Sequence, residues 1–301
     1  MTRAVAIGEC MVELNLTGPR QAAIGVAGDT FNTAVYLSRL GVPVSYATAL
    51  GAEDPFSAEI VRVMADEGID ASLVVRAAGR LPGLYAISRD AAGERRFHYW
   101  RSEAPVRDFF RLSDEAGLAP ALLRTLRQAS LVYLSGVTLA VVGETGRTKL
   151  LALLAAATHA GAVVALDVNY RARLWPSADV ARAALSRAAA FARYISLSEE
   201  DRADLRGWNP PEAAEVIERF ADRTVRVRSE DGVLDIRPAP NPPRVVDTTG
   251  AGDAFNAAYL AARLRGEAAT RAVAAGRRLA EAVIAHEGAI IPRSDMPEPA
   301  Y

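Results

Sequence analysis

The sequence predicts an α/β fold, a mostly parallel central sheet with helices on both faces. Short β-rich runs alternate with longer alanine- and leucine-rich stretches along the chain. Those stretches carry helix punctuation: Asp54 followed by Pro55 starts one, and Gly41, Gly68 and Gly161 stop others. Neither a linker nor a low-complexity tract divides the 301 residues, so residues 1–301 read as a single domain.

The elements follow in order. Residues 5–8 form a first strand, 29–40 a helix with Gly41 just past its end, and 44–49 a strand. Asp54 and Pro55 cap and begin a helix that stops at Gly68. Residues 131–134 are a strand, 144–160 a helix closed by Gly161, and 163–166 another strand. Further repeats of the helix–strand unit run through 177–190, 194–196, 211–221 and 224–227, and helices over 254–264 and 268–286 follow. One region breaks the rhythm. The runs 84–88 and 95–100 are joined by Asp90-Ala-Ala-Gly93, a hairpin turn signal. Such a hairpin has no place in a βαβ series, so segments near 13–24 and 81–102 are expected to form a small β-rich lid.

Charge excludes several classes of function. With 35 basic and 36 acidic residues, no global field favours nucleic acid or an anionic membrane. Anions must instead be met by a few placed arginines. Cys10, the one cysteine, rules out a disulfide framework and a thiolate metal cluster, and points to a reducing, cytoplasmic setting. It follows a buried strand and reads as an inert core thiol. The apolar stretch 5–16 is interrupted by Glu9 and Glu13 and lacks the layout of a signal peptide, and 150–166 is broken by His159 and Gly161. His98, His159 and His286 show no ligand spacing.

The most informative stretch is Asp247-Thr-Thr-Gly250-Ala251-Gly252-Asp253-Ala254-Phe255. Glycines between a β-branched run and an amphipathic helix let the backbone approach an anion, which the helix N-terminus then receives on free N–H groups. Asp253 at that terminus has two readings. It caps the helix, or it accepts a hydroxyl proton while phosphate oxygens rest on the amides of Gly250, Ala251 and Gly252. The stretch lacks the Gly-Lys-Ser/Thr ending of a P-loop and lies too late in the chain for a Rossmann fingerprint.

Asp247 to Asp253 resembles the C-terminal signature of the ribokinase-like (pfkB) carbohydrate kinases, and Val26-Ala-Gly28-Asp29-Thr-Phe-Asn32 resembles their N-terminal glycine motif. Gly8 to Glu13, Leu81 to Tyr85, His98 to Arg101, Leu134 to Gly136, Asp167 to Arg171, Leu174-Trp175 and Gly288 to Pro292 resemble the 2-keto-3-deoxygluconate kinases in particular. The resemblance implies a ribokinase-like fold and transfer of the ATP γ-phosphoryl to the sugar acid's terminal hydroxyl, with Mg²⁺ on the phosphates. It implies sugar contacts at Gly28, Asp29, Asn32, Tyr85, Tyr99, Arg101, Arg171 and Asp253. Nucleotide contacts are implied at Asn169, Arg171, Ser198, Arg228, Gly232, Gly250 and Gly252. It also suggests a homodimer paired through the lid, in keeping with a hairpin that exposes Leu84, Tyr85, Phe97 and Tyr99.

The residue chemistry agrees. A guanidinium fork such as Arg101 matches a carboxylate bidentately, and Tyr99 two residues earlier lies on the same strand face; the alternative is one of many solvated arginines. Arg171 follows a strand whose carboxyl end faces the ligand side of an open sheet; its alternative is a salt bridge to a neighbouring loop. The family's Asn-x-x-Glu reads Ser198-Glu-Glu-Asp201 here, so Asp201 either acts on Mg²⁺ through water or caps the next helix. The family's Lys-x-Gly nucleotide loop reads Val227-Arg228-Ser229-Glu230-Asp231-Gly232, with added negative charge that puts ATP affinity in question. Two rivals are a kinase of a neutral sugar such as fructose or ribose, and a sugar-sensing protein without turnover.

Overall fold

In the computed structural model of the chain, which describes residues 3–18, 20–89, 95–238 and 244–298, two sheets organise the molecule. The strands and helices run in the order β1 (Ala4–Ile7), β2 (Met11–Gly18), β3 (Gln21–Ala27), α1 (Asp29–Arg39), β4 (Val44–Gly51), α2 (Pro55–Asp66), β5 (Val74–Ala77), β6 (Leu84–Arg89) and β7 (Arg95–Trp100). Next come α3 (Phe109–Glu115), α4 (Ala119–Gln128), β8 (Leu131–Ser135), α5 (Gly136–Val141), α6 (Gly143–His159), β9 (Val163–Asp167), α7 (Ala178–Ala189) and β10 (Ala192–Ser198). The last are α8 (Glu199–Asp204), β11 (Glu215–Arg219), β12 (Val225–Ser229), β13 (Gly232–Ile236), α9 (Ala251–Leu264) and α10 (Ala269–Ile284).

Among the described residues the large sheet has nine strands in the order β13-β12-β11-β10-β9-β8-β1-β4-β5. It is parallel from β5 to β11; β12 and β13 add an antiparallel edge. The order reverses at β1, which lies between β8 and β4. Such a switch point opens a crevice beyond the carboxyl ends of the strands. Strand alternation divides the core in two. Ala4 and Ala6 of β1, with Leu131 and Tyr133 of β8, pack under α1, α9 and α10; Val5, Ile7, Val132 and Leu134 pack on the opposite face with α4, α6 and α7.

Helix ends follow the local chemistry. The Asp54 carboxylate accepts from Ser57 N at 2.7 Å, ahead of Pro55 in the first turn, and Ser177 caps α7. Gly41, Gly68 and Gly161 all take positive φ just past helix ends, where a side chain would strain the turn.

The second sheet has the order β3-β2-β6-β7 among the described residues, with β2 and β6 parallel and the outer pairs antiparallel. The expected turn at Asp90–Gly93 lies outside the described residues. Arg101 stands one residue past β7 rather than within it. Segment 211–221, expected to supply a helix, supplies β11 instead. Pro210-Pro211 offers no N–H for a helix, and β-branched Val216 and Ile217 are buried between β10 and β12.

A buried ion pair locks β11 to α9. Glu215, 3% exposed, accepts from Arg263 Nε at 2.9 Å, Arg263 Nη2 at 2.7 Å and the Tyr259 hydroxyl at 2.5 Å. Removing one partner of such a pair strands the other. Glu215→Ala should therefore lose about 3 kcal/mol of stability, read as a lower midpoint in urea unfolding; an unchanged midpoint would mean that the pair contributes nothing.

Candidate active site

A cleft of about 1000 Å³ opens over the carboxyl ends of β9, β10 and β11. The N-termini of α1 and α9 form one wall, and the small sheet overhangs it with Tyr85, Phe97, Tyr99 and Arg101. Of the residues singled out by sequence, Gly28, Asp29, Asn32, Tyr85, Tyr99, Arg101, Asn169, Arg171, Ser198, Asp201 and Gly250–Asp253 line this one cleft.

At the α9 terminus, Gly250 has φ +74°, and a Cβ there would lie 2.7 Å from the carbonyl oxygen of Ala289. Conformation and space both demand glycine. No side chain caps α9, so its positive end faces the cleft, although Ala251 N–H turns back to Thr248 O at 3.3 Å. Asp253, in the first turn, accepts from Asn32 Nδ2 at 2.8 Å. Burial raises its pKa well above the carboxylate range, and the Asp29 and Asp167 charges add to this; Asn32 and Arg219 offset part.

The α1 terminus meets it from the neighbouring helix on the same face of the sheet. A Cβ on Gly28 would sit 2.3 Å from Glu9 O, so the chain crosses β1's exit at backbone contact. Asp29 accepts from Asn169 Nδ2 at 2.8 Å, and Asn169 has φ +32°, a left-handed position that asparagine tolerates better than most residues. Asp167, 3% exposed, has Oδ1 buried without a hydrogen-bond partner, and burial lifts its pKa to about 7.

The small sheet presents an aromatic strip. Tyr85 is 6% exposed rather than outward-facing, stacks on Tyr99 at 5.6 Å and donates its hydroxyl to Glu13. Burial raises the Glu13 carboxyl, with the Tyr85 hydrogen bond opposing the shift. Arg101 is neither solvated nor free. Its guanidinium pairs with Glu9, itself 2% exposed, while Arg101 Nε and Glu9 Oε1 stay without hydrogen-bond partners.

Three further arginines reach the cleft that sequence reading passed over. Arg95 of β7 pairs with Asp247 and donates to Thr249 Oγ1 and, at 3.0 Å, to Thr248 Oγ1, tying the small sheet to the loop before α9. Arg173 lies 3.8 Å from the Tyr99 ring centre. Arg219, at the end of β11, donates to Ser196 and to Asn256 Oδ1 at 2.7 Å, and lies 3.7 Å from Asp167. A Cβ on Gly252 would lie 3.5 Å from Arg219 Nη2, which places this cation beside the glycine loop.

The turn after β11 also faces the cleft. Arg228 and Gly232 belong to the β12–β13 hairpin and are not among the residues lining the cleft; Arg219, Phe220 and Ala221 are. The turn after β11 ends at Arg223, whose φ of +65° is the left-handed conformation that a glycine adopts more easily. Glu230 and Asp231 travel with the outer hairpin and do not line the cleft. Both oxygens of Asp201 are held by protein donors, Tyr170 N at 2.7 Å and Ser198 N and Oγ at 2.8 Å, in a capping box that starts α8.

Comparison with known proteins agrees with this geometry. The family described as pfkB family carbohydrate kinase matches residues 1–296. The 2-dehydro-3-deoxygluconokinase of Dickeya dadantii (strain 3937) is 40% identical over 314 residues, covering 98% of this chain and 99% of that protein. The 2-dehydro-3-deoxygluconokinase of Escherichia coli (strain K12) is 39% identical over 315 residues, covering 99% and 100%. Among solved structures, a putative ribokinase II from E. coli in complex with ATP and Mg²⁺ superposes with a TM-score of 0.78 at 20% identity, covering 96% of this chain and 94% of that one. The ribokinase-like fold expected from the motifs is the fold observed.

The half-buried Asp253 carboxylate should be visible in stability. A raised folded-state pKa means that ionisation is disfavoured in the native state. The penalty is absent below the unfolded value of about 4, grows as pH rises toward the folded value, and is constant above it. Asp253→Asn should therefore melt at a higher temperature than wild type at pH 8, with the difference shrinking toward pH 4. A difference independent of pH would show that Asp253 carries no ionisation penalty.

Proposed function

The chain belongs to the pfkB family of carbohydrate kinases, and we propose that it transfers the γ-phosphoryl of ATP to the terminal hydroxyl of 2-keto-3-deoxygluconate, giving the 6-phosphate. Asp253 carries this reading: a half-buried carboxylate of raised pKa, fixed by Asn32, stands beside an uncapped helix terminus. The level of similarity to the two 2-dehydro-3-deoxygluconokinases supports the substrate.

In the proposed reaction the acceptor oxygen forms a bond to the γ-phosphorus, while the bond from that phosphorus to the bridging oxygen breaks and ADP leaves with the electron pair. The hydroxyl proton passes to Asp253, whose burial and the nearby Asp29 and Asp167 charges raise its proton affinity above that of a free carboxylate. The α9 terminus and Arg219 lie where they can offset phosphate charge. Gly28, Asp29, Asn32, Tyr85, Tyr99, Arg101 and Arg171 are assigned to the sugar side. Asn169, Arg171, Ser198, Gly250 and Gly252 are assigned to the nucleotide side.

Among the described residues no three His, Cys, Asp or Glu side chains cluster to grip a metal. Asp201, which lines the cleft beside Asp167, would hold the ion only through its water shell. Mg²⁺ bound there supplies neutralisation of phosphate charge.

We further assign a cytoplasmic setting to a single kinase domain with the small sheet as its lid. Among the described residues no helix is long and apolar enough to cross a membrane. Pairing through the lid is proposed from its outward apolar groups: Leu16 is 42% exposed, Ile24 65% and Trp100 61%. Light scattering at micromolar concentration should give a dimer, and Trp100→Glu should shift it toward monomer. A monomeric wild type would refute lid pairing.

ADP release coupled to sugar-acid addition tests the activity. Wild type should release ADP with 2-keto-3-deoxygluconate and far less with fructose. Asp253→Asn should lower kcat by a factor of about a hundred or more while leaving substrate affinity near wild type. Wild-type turnover in that variant would reduce Asp253 to a helix cap.

A further inference from the structure

We propose that Arg95 is a positioning residue for phosphoryl transfer: from the small sheet it fixes the side chains of Asp247, Thr248 and Thr249, and through them the turn at Gly250 that opens α9. The proposal rests on the kinase reading above, but not on which sugar is the acceptor. Arg95 is the first residue of β7, paired with Arg89 of β6, and its guanidinium reaches a loop 152 residues further along the chain. There it pairs with Asp247 and donates to the Thr249 hydroxyl and, at 3.0 Å, to Thr248 Oγ1. One group thus meets three consecutive side chains, a task suited to a planar fork with five N–H donors.

Asp247 is where the contact matters. It is 3% exposed, and its carboxylate also accepts from Thr249 N at 2.7 Å and Gly288 N at 3.2 Å. Burial pushes its pKa up, but the Thr249 and Gly288 bonds and the Arg95 charge outweigh burial and hold it below the usual carboxylate range. Asp247 is therefore a buried anion tied at once to the loop before α9, the loop after α10 and the small sheet. Glu13 of β2, 9% exposed, feels the Asp247 charge as repulsion and the Arg95 charge as relief. Without Arg95 these two buried carboxylates would repel each other with no compensating charge from β7.

The backbone on either side is anchored elsewhere. Val246 N and Asp247 N donate to Ile284 O at 2.7 and 3.2 Å, and Gly250 lies against Ala289. Between these fixed points Arg95 holds the hydroxyls of Thr248 and Thr249, and both residues line the cleft beside the α9 terminus. Amides that receive a phosphoryl group must be fixed before the reaction, and a displacement of about 1 Å can cost roughly a hundred-fold in rate. Arg95 sets that placement from a different sheet, at the end of β7 opposite Arg101. It need touch neither substrate to do so.

The test is a double-mutant cycle on the full chain: Arg95→Ala, Asp247→Asn and the two combined, with Arg95→Lys beside them. ADP release with 2-keto-3-deoxygluconate gives kcat and the KM of each substrate, and urea unfolding gives the midpoint. Arg95→Ala should lower kcat by about ten- to a hundred-fold while the KM for the sugar acid stays near wild type. The double variant should lose no more than the worse single variant, because Arg95 acts through Asp247. Arg95→Lys should fall between, since lysine keeps the charge without the fork. Guanidinium added to Arg95→Ala, well below denaturing concentration, should restore part of kcat, which a merely unfolded variant would not show. If Arg95→Ala does not fold, Arg95→Lys takes its place in the cycle. Wild-type kcat in Arg95→Ala overturns the proposal. So do additive losses in the double variant, which would put Arg95 directly on a phosphate, and a loss confined to the KM of the sugar acid. A wild type that releases no ADP with any sugar overturns the kinase reading. The unfolding midpoints tell that failure apart, because Arg95 and Asp247 should be coupled there whatever the activity; additive shifts in the midpoints overturn the present proposal.

Discussion

The hydrogen bond from Asn32 to Asp253 joins side chains 221 residues apart, and the geometry of the cleft depends on it. It brings the start of α1 against the start of α9, two helix termini that both open onto the crevice beyond the sheet. Thr33 of α1 reinforces the junction by donating to the backbone carbonyl of Asp253 at 3.3 Å and to the Tyr133 hydroxyl at 3.2 Å. The buried contact between Gly250 and Ala289 then holds the turn that leads into α9. A carboxylate so placed is held by Asn32 with no cation paired to it among the described residues. That constraint keeps its proton affinity high.

Around this centre the cleft balances acid against base at short range. Asp29, Asp167 and Asp253 repel one another, and each raises the cost of ionising a neighbour. Arg219 stands among them with its guanidinium fixed by Ser196 and Asn256. A phosphate entering between Arg219 and the α9 terminus meets positive potential on two sides, although the chain as a whole is nearly neutral. The global charge thus says little about the site, where a few fixed groups in a partly dry space dominate.

The small sheet is coupled to this centre by two arginines at opposite ends of one strand. Arg95 ties the start of β7 to Asp247 and Thr249, and Arg101, just past its end, ties it to Glu9 at the exit of β1. Between them Tyr99 stacks on Tyr85, whose hydroxyl is anchored on Glu13. The overhang is therefore a strut as much as a cover. Its inner face is held by buried polar contacts, while Ile24 and Trp100 point outward.

By itself the sequence determined the alternation of strands and helices, the capping of α2, the left-handed glycine turns and the two glycine motifs. Each of these depends on contacts within a few residues: a carboxylate reaching three residues forward, a left-handed turn, glycines leading into a helix. Tertiary structure alone decided which strands were neighbours. Glu215 to Arg219 becomes a strand because β10 and β12 flank it and α9 supplies a cation for Glu215, partners that lie far along the chain. The lining of the cleft followed from it: Arg219 and Ala221 face the cleft, while Arg228 and Gly232 are not among its lining residues. The arginines show the same division. Their long side chains find partners set by packing, so Arg95, Arg101 and Arg219 acquired carboxylates from distant strands and loops. Which carboxylate a guanidinium meets is a property of the assembled charges, and no window of sequence contains them all.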